Sequence, residues 1–257
     1  MSALVTGAGR RLGRAMAFYL AQRGHDVAIH YASSADEAES LAEEIRALGR
    51  RAVTLQADLL DEAQVETLIP RAHEALGPLT VLINNASIFE YDRIDTSTRR
   101  NWDRHIESNL RAPYVLIQQF AKQCPKAKTG ADGQPVASGL VVNMLDQRVW
   151  KLTPEFSTYS IAKMGLWALT QTAAQGLAPD IRVNGIGPGP TLQGARQSDS
   201  HFTRQRAHTV LQRGANPDEI VAALGFFLDS PSVTGQMVAV DGGQHLGWKT
   251  PDVLGVE

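Results

Sequence analysis

A single cysteine in 257 residues, Cys124, leaves the chain without an intrachain disulfide and without a multi-cysteine metal site, and fits a reducing compartment. Neither sign of charge is in excess. The 25 basic and 27 acidic side chains give a formal net charge of -2, which argues against a nucleic-acid partner. No uninterrupted apolar run approaches the length that spans a bilayer, so no membrane partner is expected. Met1 leads directly into Leu4-Val5-Thr6-Gly7, with no room for a charged segment, an apolar core and a cleavage site. A secretory leader is therefore not expected, and a cytoplasmic setting follows by elimination. Internal repeats and low-complexity tracts are missing as well.

What remains is an ordinary globular composition, 43% hydrophobic and 20% charged, at a length that suits one large α/β domain. Ala3-Leu4-Val5 is a short apolar run ending in Thr6-Gly7-Ala8-Gly9, and an apolar-periodic stretch from Leu12 to Arg23 follows until Gly24 stops it. The alternation then repeats. Val27 to His30, Ala52 to Leu55, Val81 to Ile83, Leu140 to Asn143, Ile181 to Asn184 and Met237 to Val240 read as further strands. Helices are predicted over Ala35 to Leu48, Asp61 to Leu76 with Asp61 as N-cap, Asn101 to Gln123, and Thr158 to Leu177. Strands alternating with helices of this length predict a doubly wound α/β fold. The expectation is one domain over residues 1–257, a parallel sheet of about seven strands with helices on both faces. Two stretches interrupt the pattern: residues 126–138 read as a surface insertion, and residues 190–214 as a substrate-covering segment.

Three local patterns carry chemistry. Gly7, Gly9 and Gly13 follow the first strand, where glycines let the backbone approach a pyrophosphate and exposed N–H groups attract its charge. Three glycines equally suit a tight turn that binds nothing. At the end of the second strand stand His30, Tyr31, Ala32, Ser33 and Ser34, none of them acidic. An acidic residue there would hold the ribose hydroxyls of NAD and repel a 2′-phosphate, so its lack favours NADP. Tyr159-Ser160-Ile161-Ala162-Lys163 puts a phenol and an ammonium one turn apart on one helix face. The ammonium is expected to stabilise phenolate and lower the tyrosine pKa from about 10, suiting Tyr159 to act as general acid. As an isolated pair they would also suit a solvated face.

Together these patterns resemble the short-chain dehydrogenase/reductase family over Leu4 to Gly243. Thr6-Gly7 with Gly13 after five intervening residues resembles its T-G-x-x-x-G-x-G turn, with Arg11 in place of the middle glycine. Asn84-Asn85-Ala86 resembles N-N-A-G with Ser87 for the glycine. The tyrosine–lysine pair follows Asn143-Met144-Leu145-Asp146 at the family's interval. Arg182-Val183-Asn184 through Pro188-Gly189 resembles the R-V-N-x-x-x-P-G block that closes over the nicotinamide, and Asp241-Gly242-Gly243 resembles the C-terminal D-G-G.

The resemblance implies an NADPH-dependent reductase with Tyr159, Lys163 and Asn109 in its catalytic set, Asn109 completing a proton relay with water and the lysine. It implies Arg10 near the 2′-phosphate and Asp58, beside Leu59, at the adenine. Leu12, Asn85, Ala86, Ser87, Pro188 and Gly189 would lie along the cofactor. It further implies a homotetramer built through the helices that follow the fourth and fifth strands.

One departure stands out in chemistry. Most members carry a serine thirteen residues before the tyrosine, and this chain has Asp146, whose carboxyl group can pass a proton. Arg11, Asp146, the run Asn84 to Phe89, and His30-Tyr31 resemble the pteridine reductases and related dihydromonapterin and dihydrofolate reductases. That resemblance implies hydride transfer to a pterin C=N bond. Arg11 would approach pterin and cofactor phosphates, Phe89 would stack on the pterin, and Asp146 and Tyr159 would support ring protonation. Ser87 and Pro190 would also meet the substrate. Ser33 stands where those enzymes often present an arginine to the cofactor phosphate. The plainer alternatives are a core aromatic for Phe89, a surface cation for Arg11 and a helix cap for Asp146. Rival functions are a carbonyl reductase acting on a sugar, ketone or acyl thioester, and a nucleotide-binding protein without catalysis.

Overall fold

Alternation of strand and helix yields one parallel sheet of seven strands. They are β1 (Ser2–Val5), β2 (Asp26–Tyr31), β3 (Ala52–Gln56), β4 (Leu79–Asn84), β7 (Gly139–Met144), β8 (Ile181–Pro188) and β9 (Met237–Val240). Their order is β3-β2-β1-β4-β7-β8-β9, and a separate hairpin pairs β5 (Lys128–Thr129) with β6 (Pro135–Val136). The computed structural model describes residues 1–194 and 197–250. Of the expected spans, positions 195 and 196 of the 190–214 segment and positions 251–257 of the domain lie outside the described residues.

Both faces of the sheet are covered, so the strands read as continuous apolar runs and their side chains alternate between two cores. Ala3 and Val5 face α1 (Arg11–Gln22), α2 (Ala35–Ala47) and α8 (Pro217–Asp229), where Met16, Leu20, Leu41, Ile45 and Phe227 are fully buried. Leu4, between them, faces α3 (Glu62–Leu76), α5 (Ala112–Gln123) and α6 (Ser157–Gly176) with Leu68, Leu116 and Phe120. The strand order turns about β1, which pairs with β2 on one side and β4 on the other. A crevice opens at the carboxyl ends of strands at such a switch point, here after Val5 and Asn84.

Three elements differ from the sequence reading. The long helix expected from Asn101 is α4 (Arg99–Ile106), a π turn (Glu107–Arg111) and α5. Pro113 has no N–H to give the carbonyl four residues before it, that of Asn109, so an α-helical ladder cannot run through. The second difference is α8, which the sequence reading did not propose. It begins at a capping box of Asn216 and Glu219 with Pro217 in the first turn. The third is α7 (Asp199–Ala207), inside the segment read as irregular. Arg206 fixes that segment by donating to the carbonyls of Pro190, Thr191, Gly214 and Ala215. Asp61 caps α3 as expected, accepting from Ala63 N. Residues 126–138 hold the exposed hairpin, anchored where Asp180 accepts from Ala127 N at 2.8 Å and Lys126 Nζ at 2.9 Å. Among the described residues, no helix is long and apolar enough to cross a membrane.

Candidate active site

Main chain shapes one end of the crevice. Gly7 has φ +60°, and a Cβ on Gly13 would fall 2.3 Å from Gly7 O, so α1 can begin against the turn only with glycine there. Thr6 Oγ1 accepts the N–H groups of Asn85 and Ala86 at 2.9 and 3.0 Å, which ties the end of β4 to the end of β1. Beneath the turn, Gly7 N donates to His30 Nδ1 at 3.0 Å. The ring proton therefore sits on Nε2, 3.1 Å from Ala57 O. Burial pushes the His30 pKa down to about 4, so the ring stays neutral at physiological pH.

Arg11 occupies the left-handed region, φ 56°, where the family pattern has glycine. That conformation costs a non-glycine residue on the order of 1–3 kcal/mol. Its guanidinium is well anchored, donating to Gln193 O at 2.7 Å and Leu192 O at 3.0 Å across the crevice. Arg10 lies on the rim with its side chain 64% exposed and forms an ion pair with Glu37. A smaller group of residues, Gly9, Arg10 and Glu37 among them, lines a separate hollow that shares Arg10 and Arg11 with the crevice.

The other end is built from side chains. Asp146 stands two residues beyond the end of β7. Its Oδ1 accepts the Arg148 N–H at 2.8 Å, capping a short 3-10 turn, and its Oδ2 accepts the Tyr159 hydroxyl at 2.9 Å. One carboxylate thus serves both as the cap and as the tyrosine's partner. Burial pushes the Asp146 pKa up. The Tyr159 pKa is pushed well above its ordinary value by burial, then by the Asp146 charge and hydrogen bond, with Arg148 and Ser87 opposing weakly.

This corrects the expectation of a phenol acidified by its lysine. Lys163 Nζ donates to Met144 O at 2.7 Å and lies 5.6 Å from the centroid of the Tyr159 ring. Burial pushes its pKa down to about 8, while Asp146 pulls it up. The lysine is a moderated, buried cation. The Asn109 side chain is engaged by Ile88: Oδ1 accepts Ile88 N at 2.9 Å and Nδ2 donates to Ile88 O at 2.8 Å, clamping that residue's backbone.

Phe89 is 44% exposed, which sets aside the core-aromatic alternative. It stacks on Phe156 with centroids 4.3 Å apart and meets the Tyr159 ring edge-on at 4.7 Å. Arg148 lies over the far partner of that stack, 4.9 Å from the Phe156 centroid.

The crevice of about 520 Å³ brings most sequence-read positions together. Gly7, Arg10, Arg11, Leu12 and Gly13 line it from the turn, and Tyr31, Ala32 and Ser33 from the end of β2. Asn85, Ala86, Ser87 and Phe89 come from the β4 side, with Asp146, Tyr159, Lys163, Pro188 and Gly189 opposite. Several others lie elsewhere. His30 is buried below the turn, Leu59 is buried in the second core, and Asp58 is exposed with its Oδ1 accepting Leu60 N. Pro190 is buried with its carbonyl turned to Arg206. Ser34, from the non-acidic run after β2, lines the crevice too, and Met144 and Leu145 line it without having been assigned a role, although they mark the carboxyl end of a strand beside the switch point.

A family model described as Enoyl-(Acyl carrier protein) reductase matches residues 7–245. The chain belongs to the short-chain dehydrogenase/reductase family. It is an oxidoreductase of that family. Within the family, the crystal structure of FolM alternative dihydrofolate reductase 1 from Brucella suis in complex with NADP is 44% identical, with a TM-score of 0.91 and 98% of each chain covered. A short-chain dehydrogenase from Burkholderia cenocepacia in complex with NADP is 33% identical, with a TM-score of 0.85, covering 94% of this chain and 96% of that one. The 3-oxoacyl-(acyl-carrier-protein) reductase FabG of Staphylococcus epidermidis is 31% identical over 250 residues, 95% of this chain and 99% of the relative.

Proposed function

We propose that the chain is an NADPH-dependent reductase that reduces a pterin-type C=N bond, in a dihydropterin, dihydromonapterin or dihydrofolate. The observation that carries this reading is the Tyr159–Asp146 hydrogen bond at 2.9 Å beside the half-exposed ring of Phe89. A planar heteroaromatic substrate needs an aromatic wall and a proton source in its plane, and this pair of features supplies both.

The residues fit a dinucleotide. A Cβ at Gly13 would fill the cradle, Tyr31 to Ser34 offer no carboxylate to repel a 2′-phosphate, and Arg10 stands on the rim. Bound there, NADPH supplies the hydride from its nicotinamide. The chain's own part is orientation and proton transfer. Phe89 holds the ring plane, and Tyr159 Oη gives its proton to the ring nitrogen as hydride reaches the neighbouring carbon. Asp146 stabilises the neutral phenol until that moment. Its Oδ2 accepts that hydroxyl beforehand and is placed to pass a proton back to the phenolate afterwards. Lys163 supplies positive charge beneath the phenolate that forms. Asn109 fixes Ile88, the residue before Phe89. The FolM structure, 44% identical over nearly the whole chain, supports the same substrate class.

A carbonyl reductase is the second reading, and the FabG relatives favour it. The two separate by turnover. Purified enzyme with NADPH should consume dihydrofolate or dihydromonapterin faster than a 3-oxoacyl thioester or a panel of ketones; turnover of the carbonyl compounds alone would transfer the proposal to the second reading. A homotetramer and a cytoplasmic setting belong to the same proposal. In support of assembly, Trp102, Tyr114, Ile161 and Met164 stand exposed on α4, α5 and α6.

A further inference from the structure

Next to Tyr159 runs a buried polar chain that the proposed chemistry does not use. His105 on α4, Asp92 at the end of the segment after β4, and Thr158 in the first turn of α6 are each no more than 3% exposed. Hydrogen-bond direction along this chain is fixed by one donor. Glu90 N can only donate, and it points at His105 Nε2 from 3.1 Å, so the ring is neutral and carries its proton on Nδ1. Nδ1 then donates to Thr158 Oγ1 at 2.7 Å. The threonine hydroxyl in turn donates to Asp92 Oδ2, while Asp92 Oδ1 accepts Thr158 N at 3.2 Å. The chain ends on the Asp92 carboxylate.

Its two ends grip the two rings of the proposed site. Asn109, one turn beyond His105, clamps the Ile88 peptide, and His105 itself holds the Glu90 N–H. Phe89 therefore lies between two anchors provided by one side of the α4–π helix. At the other end Thr158 immediately precedes Tyr159, and Asp92 O accepts the Phe156 N–H at 2.8 Å behind the aromatic stack. The His105 ring meets the Tyr159 ring edge-on, with centroids 5.9 Å apart. Each ring could be held alone by packing. A directed chain joining the backbone of one to the helix start of the other instead fixes their separation.

We propose that His105 is a positioning residue which, through Thr158 and Asp92, sets Phe89 against Tyr159 for proton delivery to a planar substrate. The proposal rests on the reading of that pair given above. Thr158→Val keeps the side-chain shape and removes the hydroxyl in the middle of the chain, and Thr158→Ser keeps the hydroxyl. In the full-length enzyme, Thr158→Val should speed hydrogen exchange at the Glu90 amide by about tenfold. It should lower kcat for the substrate the wild type reduces by about tenfold. NADPH affinity, measured by cofactor fluorescence, should stay within about twofold, because the glycine turn is untouched. Thr158→Ser should restore exchange and kcat together. If Thr158→Val does not fold, His105→Asn, which retains a donor near the Nδ1 position and loses the acceptor for Glu90, should give the same pattern. Unchanged Glu90 exchange, loss of NADPH affinity in step with kcat, or no rescue by serine would each overturn the proposal. Failure of the pterin reading would register separately, as a wild type that turns over no pterin. Hydrogen exchange would then still decide the role of the chain.

Discussion

At the nucleotide end of the crevice the wall is backbone held at close quarters: Gly13 against Gly7, and Gly189 where a Cβ would fall 2.6 Å from Asp241 Cα. At the substrate end the wall is two rings and a carboxylate, with Phe89 44% exposed and Asp146 bound to Tyr159. Backbone can meet any dinucleotide because a phosphate chain is common to all, whereas side chains select a particular ring and deliver a particular proton. The difference teaches where to look for identity. The nucleotide end keeps the glycine turn of the family pattern except at Arg11, and the substrate end carries Asp146 where that pattern has serine.

The comparison yields a graded set of expectations. Tyr159→Phe keeps the ring against Phe89 and removes the hydroxyl, so kcat should fall about a thousandfold while NADPH affinity is kept. A parallel fall in affinity would mean that the two ends are not separable. Below that in size comes an acid effect at the nucleotide end. His30 has a folded pKa of about 4 against an ordinary value of 6.5, so the unfolded chain binds more protons between them. Stability is then full above pH 6.5 and drains away as pH falls toward 4, by roughly 3 kcal/mol for this group. Acid titration of unfolding in the wild type and in His30→Gln measures it, and identical curves would remove the group from the balance.

Smaller again is Gly13→Ala, whose Cβ must displace Gly7 O from 2.3 Å. NADPH binding should weaken about thirtyfold, equivalent to some 2 kcal/mol of strain, with kcat at saturating cofactor changed much less. Binding measured by fluorescence titration reads the first quantity and steady-state kinetics the second. The smallest expected effect is again at the substrate end. Lys163, with a pKa pushed down to about 8, is charged below that pH and loses its charge as pH rises through it. The kcat profile should fall by about tenfold from pH 7 to pH 9. A profile flat to pH 10 would show that the phenolate needs no cation.

Much of this was open to sequence reading, and the exceptions have physical causes. Strands buried on both faces and glycine-stopped helices announce themselves by pattern, so the seven-stranded sheet was legible. The capping box of Asn216 and Glu219, with Pro217 between them, is an equally local signal and marks the start of α8. The π turn at Asn109 was not visible in the periodicity, because a single extra residue leaves the apolar pattern of α5 intact; Pro113 was the available signal. The direction of the Tyr159 shift could not be read at all. Helical spacing shows the lysine four residues on, but the opposing carboxylate arrives from β7 and the desolvation from the packed fold. Likewise Asp146 as cap and Asp146 as proton partner looked like alternatives until the two oxygens took one role each. The His105 chain stayed hidden because its members are spread over positions 92 to 158 and none belongs to a motif.

One comparison of rates bears most directly on the carboxylate at the centre of the site. NADPH consumption is followed for the wild type and for Asp146→Ser, each with dihydrofolate and with a 3-oxoacyl thioester. The expected result is that the wild type favours dihydrofolate, and that the serine variant loses about tenfold or more on it without a matching loss on the thioester. A wild type that favours the thioester, with dihydrofolate turnover indifferent to the substitution, would contradict the proposed chemistry.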